Sequence, residues 1–207
     1  SRGSNGHSGR MSDNMGGGGK QRPTYGIKIW YPNPSNDRTQ DDWLSYTYGY
    51  NQEYNGPNND FVEQTVRALD FLLDNDIGTD VIKFAMDVNT SGINIQQTDP
   101  TTQCCWYTKY EVNGYNLFWD PYTGLYVGDE DASETGLIPP VIGLLHELAH
   151  FRSSMLNPER YNSKPYSFQF WNFKYSNPEE KFVIQNVEWP AARKLNLPLR
   201  FSHNGGI

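Results

Sequence analysis

Apolar residues recur at helical spacing in the first half of the chain. Between Asp60 and Asp74, residues Phe61, Val62, Val66, Leu69, Leu72 and Leu73 share one side of a 3.6-residue period. The pattern predicts a core-facing helix with Asp60 as its N-cap. A weak alternation over residues 25–31 (YGIKIWY) predicts a first strand, ended by Pro32 and Pro34. Residues 35–59, rich in Asn, Asp, Gln and Tyr, read as an irregular surface stretch. Residues 81–88 suit strand or helix equally. Residues 93–96, 106–112 and 116–119 read as short strands, the last two joined by a turn at Asn113-Gly114. Asp120–Gly124 reads as another turn, 125–127 as a brief strand, and the acidic residues 128–136 as a loop.

The second half carries a more strongly apolar run, VIGLLHELAHF at residues 141–151. Pro139 and Pro140 suit a helix start, and the helix should reach about residue 155. Leu144, Leu148, Phe151 and Met155 lie on one side and should face the core; His146 and His150 open onto another. Residues 157–177 read as a polar, aromatic loop. A further helix then opens with Asn177 as N-cap, Pro178 at the first position and Glu180 at the third. Phe182, Val183 and Val187 give it an apolar side. Pro190 should break or restart it, with helix resuming over 191–195 and an extended tail over 197–203. Helix, antiparallel sheet, then two further helices make an α+β plan.

Composition narrows the class. At 207 residues the chain can build one domain with a substantial core. Residues 1–22 are mostly Gly, Ser and Asn and should be disordered, leaving 23–207 as the domain. That leader has no apolar h-region of a cleaved secretory signal, while export through a polar, unstructured amino terminus stays open. The formal charge of −7 argues against a nucleic-acid surface or a polybasic membrane patch. No apolar run approaches a membrane span. Cys104 and Cys105 are adjacent, which suits two reduced thiols in a reducing compartment better than a disulfide.

His146-Glu147-Leu148-Ala149-His150 is an H-E-x-x-H. Residues four apart on a helix point nearly the same way, so both imidazoles can hold one metal ion. Two nitrogen ligands make one Zn²⁺ the default. Glu147, about a quarter turn on from His146, can reach a water without being a ligand. A catalytic zinc usually takes a third protein ligand. The continuation x-x-G-x-x-H is excluded, because Ser153 and Leu156 stand at its Gly and His positions. A carboxylate from a later helix is the alternative. Glu159 lies too close behind the first helix, and Glu188 adjoins the break at Pro190. Glu180 is the first choice and Glu179 the second, the unused one orienting a ligand His.

The residues from about 115 onward resemble the NleD-like zinc metalloproteases that bacteria deliver into host cells by type III secretion. The resemblance rests on Asn116-Leu-Phe-Trp-Asp-Pro121, Leu144-Leu-His-Glu-Leu-Ala-His150, the Glu179-Glu180 pair and Leu195-Asn-Leu-Pro-Leu-Arg200. More distantly the chain is similar to clostridial neurotoxin light chains, in which the second member of such a Glu pair binds zinc. That supports Glu180. Those proteins also carry Arg-x-x-Tyr, which helps to stabilise the transition state; Arg200-Phe-Ser-His203 stands here, with His203 in place of the Tyr.

The resemblance implies a small zincin-like domain of the gluzincin type, acting as a monomer in the host cytoplasm. It would be a metalloendopeptidase that cleaves host signalling proteins, JNK-type stress-activated kinases among them. Zinc on His146, His150 and Glu180 would lower the pKa of a water and polarise the scissile carbonyl. Glu147 would take the water's proton and pass it to the leaving amine, and Arg200 would stabilise the oxyanion with His203 as a further donor. The competing reading is a zinc-stabilised effector that binds a host protein without cutting it. Glu147 speaks against that, because a structural zinc needs no such carboxylate.

Overall fold

The structure, a computed structural model, describes residues 26–34, 43–87, 92–98, 106–111, 114–128, 135–163 and 175–202. Cys104, Cys105, Asn113, His203 and the amino-terminal 1–22 lie outside them. Five strands form one sheet: β1 (Ile27–Pro32), β2 (Trp43–Thr47), β3 (Ile93–Gln97), β4 (Trp106–Glu111) and β5 (Gly114–Trp119), in the order β2-β1-β3-β5-β4. β1 and β2 run antiparallel, as do β4 and β5, but β3 is parallel to both its neighbours. The wholly antiparallel expectation is corrected to a mixed sheet. The reason is the crossover: α1 (Asp60–Asp74) and α2 (Thr79–Asp87) lie between β2 and β3, and return the chain to run beside β1 in its own direction.

Two other expectations change and one open stretch is decided. Residues 43–47, expected to be irregular, pair with β1 in the register Ile29 to Tyr46. The undecided stretch near 81–88 is helical; Val81, Ile82 and Ala85 are its buried stripe. The cap of α1 is Asn59, whose Oδ1 accepts the Val62 N–H at 3.1 Å, and Asp60 is instead the first helical residue. The apolar residues assigned to α1 are all buried.

An antiparallel ribbon of β6 (Leu125–Gly128) and β7 (Thr135–Ile138) leads into α3 (Pro140–Leu156). The Trp119 indole donates to the Pro140 carbonyl at 2.9 Å, tying the start of α3 to the end of β5. α3 lies between α2 and the β4–β5 side of the sheet; Phe151 touches Phe84 on α2 and Tyr115 on β5. Every residue from Ile142 to Phe151 is buried. A helix covered all round carries no polar face, which is why this run is apolar almost throughout. Met155, expected in the core, is exposed because the helix has by then passed beyond its neighbours.

The short α4 (Pro158–Tyr161) follows, within the stretch read as loop. The last helical segment comprises α5 (Pro178–Val183), a π turn (Ile184–Glu188) and α6 (Trp189–Lys194). The α-helix restarts around Pro190, as expected, and the backbone stays helical across the junction. The proline's missing N–H and its ring are incompatible with an α-type bond to Asn186, and the chain widens by one residue there, Trp189 donating to the Ile184 carbonyl.

Candidate metal centre

Two elements build the site. α3 supplies His146, Glu147 and His150 from buried positions; the α5–α6 segment packs across it. At the start of α5, Asn177 Oδ1 accepts the Glu180 N–H at 2.9 Å. This cap fixes the first turn, so that Glu179 and Glu180 project at α3. Most polar atoms here are buried with partners, as burial of such groups demands, while Glu188 Oε2 is buried without a hydrogen-bond partner.

The imidazoles of His146 and His150 meet edge to face, 4.5 Å between centres, with their Nε2 atoms 2.9 Å apart. Glu180 closes this pair: Oε1 is 3.2 Å from His150 Nε2, and Oε2 is 3.3 Å from His146 Nε2. Glu147 Oε1 stands 4.0 Å from His146 Nε2. On the other side of each ring a carboxylate takes Nδ1. Glu179 Oε1 is 3.2 Å from His150 Nδ1, and Glu188 Oε1 is in close contact with His146 Nδ1. Each of those carboxylates is held by an arginine: Arg160 Nε donates to Glu179 Oε2 at 2.6 Å, and Arg200 Nη1 to Glu188 Oε1 at 2.9 Å.

This donor set tests the fit of a cation. When Nδ1 donates to a carboxylate, Nε2 of a neutral imidazole is left as a bare acceptor. Two such nitrogens and both oxygens of Glu180 then converge on one point, an arrangement of acceptors that needs a positive charge at its centre. Two nitrogens on one tetrahedral zinc would stand about 3.3 Å apart, close to the observed approach. His146 and His150 with Glu180 therefore fit a metal ion, and the buried His146, Glu147 and His150 also lie close enough together to hold one.

The electrostatics describe the metal-free state, in which protons take the place of the ion. Burial alone would lower both imidazoles. Glu188 outweighs it at His146, and Glu179 and Glu180 outweigh it at His150, so both are raised, His150 to about 10. Burial would raise the carboxyls, but the imidazoles at Glu180, His150 and Arg160 at Glu179, and His146 and Arg200 at Glu188 hold all three below the ordinary value. Without a metal the cluster is a set of paired charges.

Of the residues singled out from sequence, the fold brings His146, Glu147, His150, Glu180 and Glu179 together. Arg200, expected to face a developing oxyanion, sits on the Nδ1 side of His146 with Nη1 on Glu188 and Nε on the Ser202 carbonyl. His203 lies outside the described residues, and Glu159 is exposed. On sequence alone Glu188 is passed over for its nearness to Pro190, and no local pattern points to Arg160. Pro190 itself was the clue to Glu188, since a proline inside a helix marks a local change of phase.

Comparison with known proteins yields no match to a family model, a curated protein or a solved structure. Among the described residues, no helix is long and apolar enough to cross a membrane.

Proposed function

We propose that the chain is a zinc-dependent endopeptidase, built as a small zincin-like domain with His146, His150 and Glu180 as metal ligands. One observation carries this: two imidazole Nε2 atoms and a carboxylate converge, while Glu147, one residue from the first His, stands beside them without closing the set. A zinc ion held there would supply Lewis acidity, activating a water and polarising a carbonyl. Glu147 has the position of a general base: it would take the water's proton and deliver it to the leaving amine. Glu179 and Glu188 hold the two imidazoles in the tautomer that presents Nε2. By its contacts Arg200 supports Glu188, and with it His146. Resemblance to NleD-like proteases makes host signalling kinases the first substrates to try, with delivery by type III secretion as the setting.

The test compares wild type, wild type with chelator, and Glu147→Gln on candidate substrates, with metal content measured alongside. Wild type should generate fragments. Glu147→Gln should lose activity by about 10²–10⁴-fold while keeping its metal, the range for loss of an acid–base group. A variant that cuts as well as wild type, or a metal-loaded wild type that cuts nothing, would refute the protease reading.

A further inference from the structure

We infer that Arg160 is the positioning residue for His150, acting through Glu179, and that the short helix α4 exists to present it. This rests on the reading of the site as a metal centre. The Arg160 side chain is committed on three sides. Nε donates to Glu179 Oε2 at 2.6 Å, Nη2 donates to Ser153 Oγ at 3.0 Å, and the guanidinium carbon lies 3.5 Å above the Phe182 ring. Those partners come from α5 and α3, so one planar group ties together both elements that carry the site. A guanidinium offers divergent N–H donors and a flat face at once, with a charge that does not titrate in the physiological range.

The direction of the hydrogen bonds shows what the contact does. Glu179 uses Oε2 for Arg160 and Oε1 for His150 Nδ1. Fixing one oxygen fixes the plane of the carboxylate, and so the line along which the other accepts from the imidazole. The ring of His150 is thereby set about its own axis, and Nε2 is aimed at the convergence point. Asn157 Oδ1 caps α4 by accepting the Arg160 N–H at 3.2 Å, anchoring the backbone of this residue as well as its side chain. His146 has its own chain through Glu188 and Arg200. The two chains share no residue, so a lesion at Arg160 should act first on the His150 half, which meets His146 at the Nε2 atoms and through Glu180.

The experiment measures zinc affinity by competition with a chromophoric chelator in wild type, Arg160→Gln, Glu179→Gln and the double variant, and records the visible spectrum of each protein loaded with Co²⁺. Thermal unfolding of the metal-free proteins separates lost folding from lost alignment. Arg160→Gln should weaken zinc by about tenfold or more, the size expected for a partner of a ligand's partner, and should shift the Co²⁺ bands. The double variant should be within about twofold of Glu179→Gln alone, because Arg160 acts through that carboxylate. Zinc affinity of Arg160→Gln within twofold of wild type, or losses that simply multiply in the double variant, would overturn the inference. If Arg160→Gln does not fold, Arg160→Lys, which keeps the charge but not the fork, carries the test by the same criteria. If wild type itself binds no zinc, the metal reading falls and this one with it.

Discussion

Glu179 and Glu180 are chain neighbours with separate work. On a helix they point about 100° apart, which sends Glu180 to the Nε2 side of both imidazoles and Glu179 to Nδ1 of His150. Their substitutions should differ accordingly. Glu179→Gln keeps one carbonyl acceptor for His150 but turns an amide NH₂ toward Arg160, and should weaken zinc by about 10–100-fold. Glu180→Ala removes the proposed ligand and should weaken it further, by about 100-fold or more relative to wild type; equal losses in a chelator competition would contradict this division. The His pair and the Glu pair were legible because each depends only on local rules: i, i+4 spacing on a helix, and an Asn-Pro-Glu-Glu start. Arg160 and Ser153 were not, because their partnership is set by how α4 folds back on α3, which no local pattern encodes.

At the scale of elements, local propensity decided what could be read. α1 has one buried stripe, and its period gave it away. β2 has no such contrast, since four of its five residues are partly buried, and it was missed. The parallel run of β3 follows from a crossover rather than from anything in its five residues. Glu188 shows the same limit more sharply. Eight residues of regular α-helix would turn it about 80° away from Glu180, and the extra residue of the π turn takes about 100° back, bringing both onto the side facing α3. Counting along an ideal helix therefore leaves Glu188 at the edge of the face that carries Glu180. A prediction belongs to this scale too. Gly78, between α1 and α2, has φ +59°, and a Cβ there would lie 2.2 Å from Cδ1 of Leu145, the residue before His146. Gly78→Ala should cost about 2–4 kcal/mol from backbone strain and overpacking together. Denaturant unfolding of the chelated protein measures it.

For the whole molecule, the paired charges make stability and metal binding depend on pH in opposite ways. The imidazoles are raised above the 6.5 of an unfolded chain, so their contribution is full below 6.5 and is lost as pH rises, through about 10 for His150. Glu179, Glu180 and Glu188 are held below 4.5, so theirs is present above 4.5 and is lost as pH falls. The chelated protein should be most stable between 4.5 and 6.5, with a urea midpoint that declines on the alkaline side. A metal needs neutral imidazoles, so zinc affinity should instead rise with pH, and binding should release protons. Calorimetry in buffers of different ionisation enthalpy reads that release; a zinc affinity that is flat or falling from pH 6 to pH 8 would contradict it.

The arginine-backed carboxylates have a consequence for which ions the protein admits. Glu147, Glu179, Glu180 and Glu188 carry four negative charges, Arg160 and Arg200 two positive ones, and the two histidines complete the balance when both are protonated. Trading those two protons for one divalent ion leaves the total unchanged. The core of α3 is in effect a two-for-one exchanger. A monovalent ion would replace only one of the two protons and leave the second imidazole protonated and unable to bind it, and a trivalent one would leave an excess; uncompensated charge in such surroundings costs several kcal/mol. In the proposed metal centre, a preference for charge two would thus be set in part by residues that need never touch the ion.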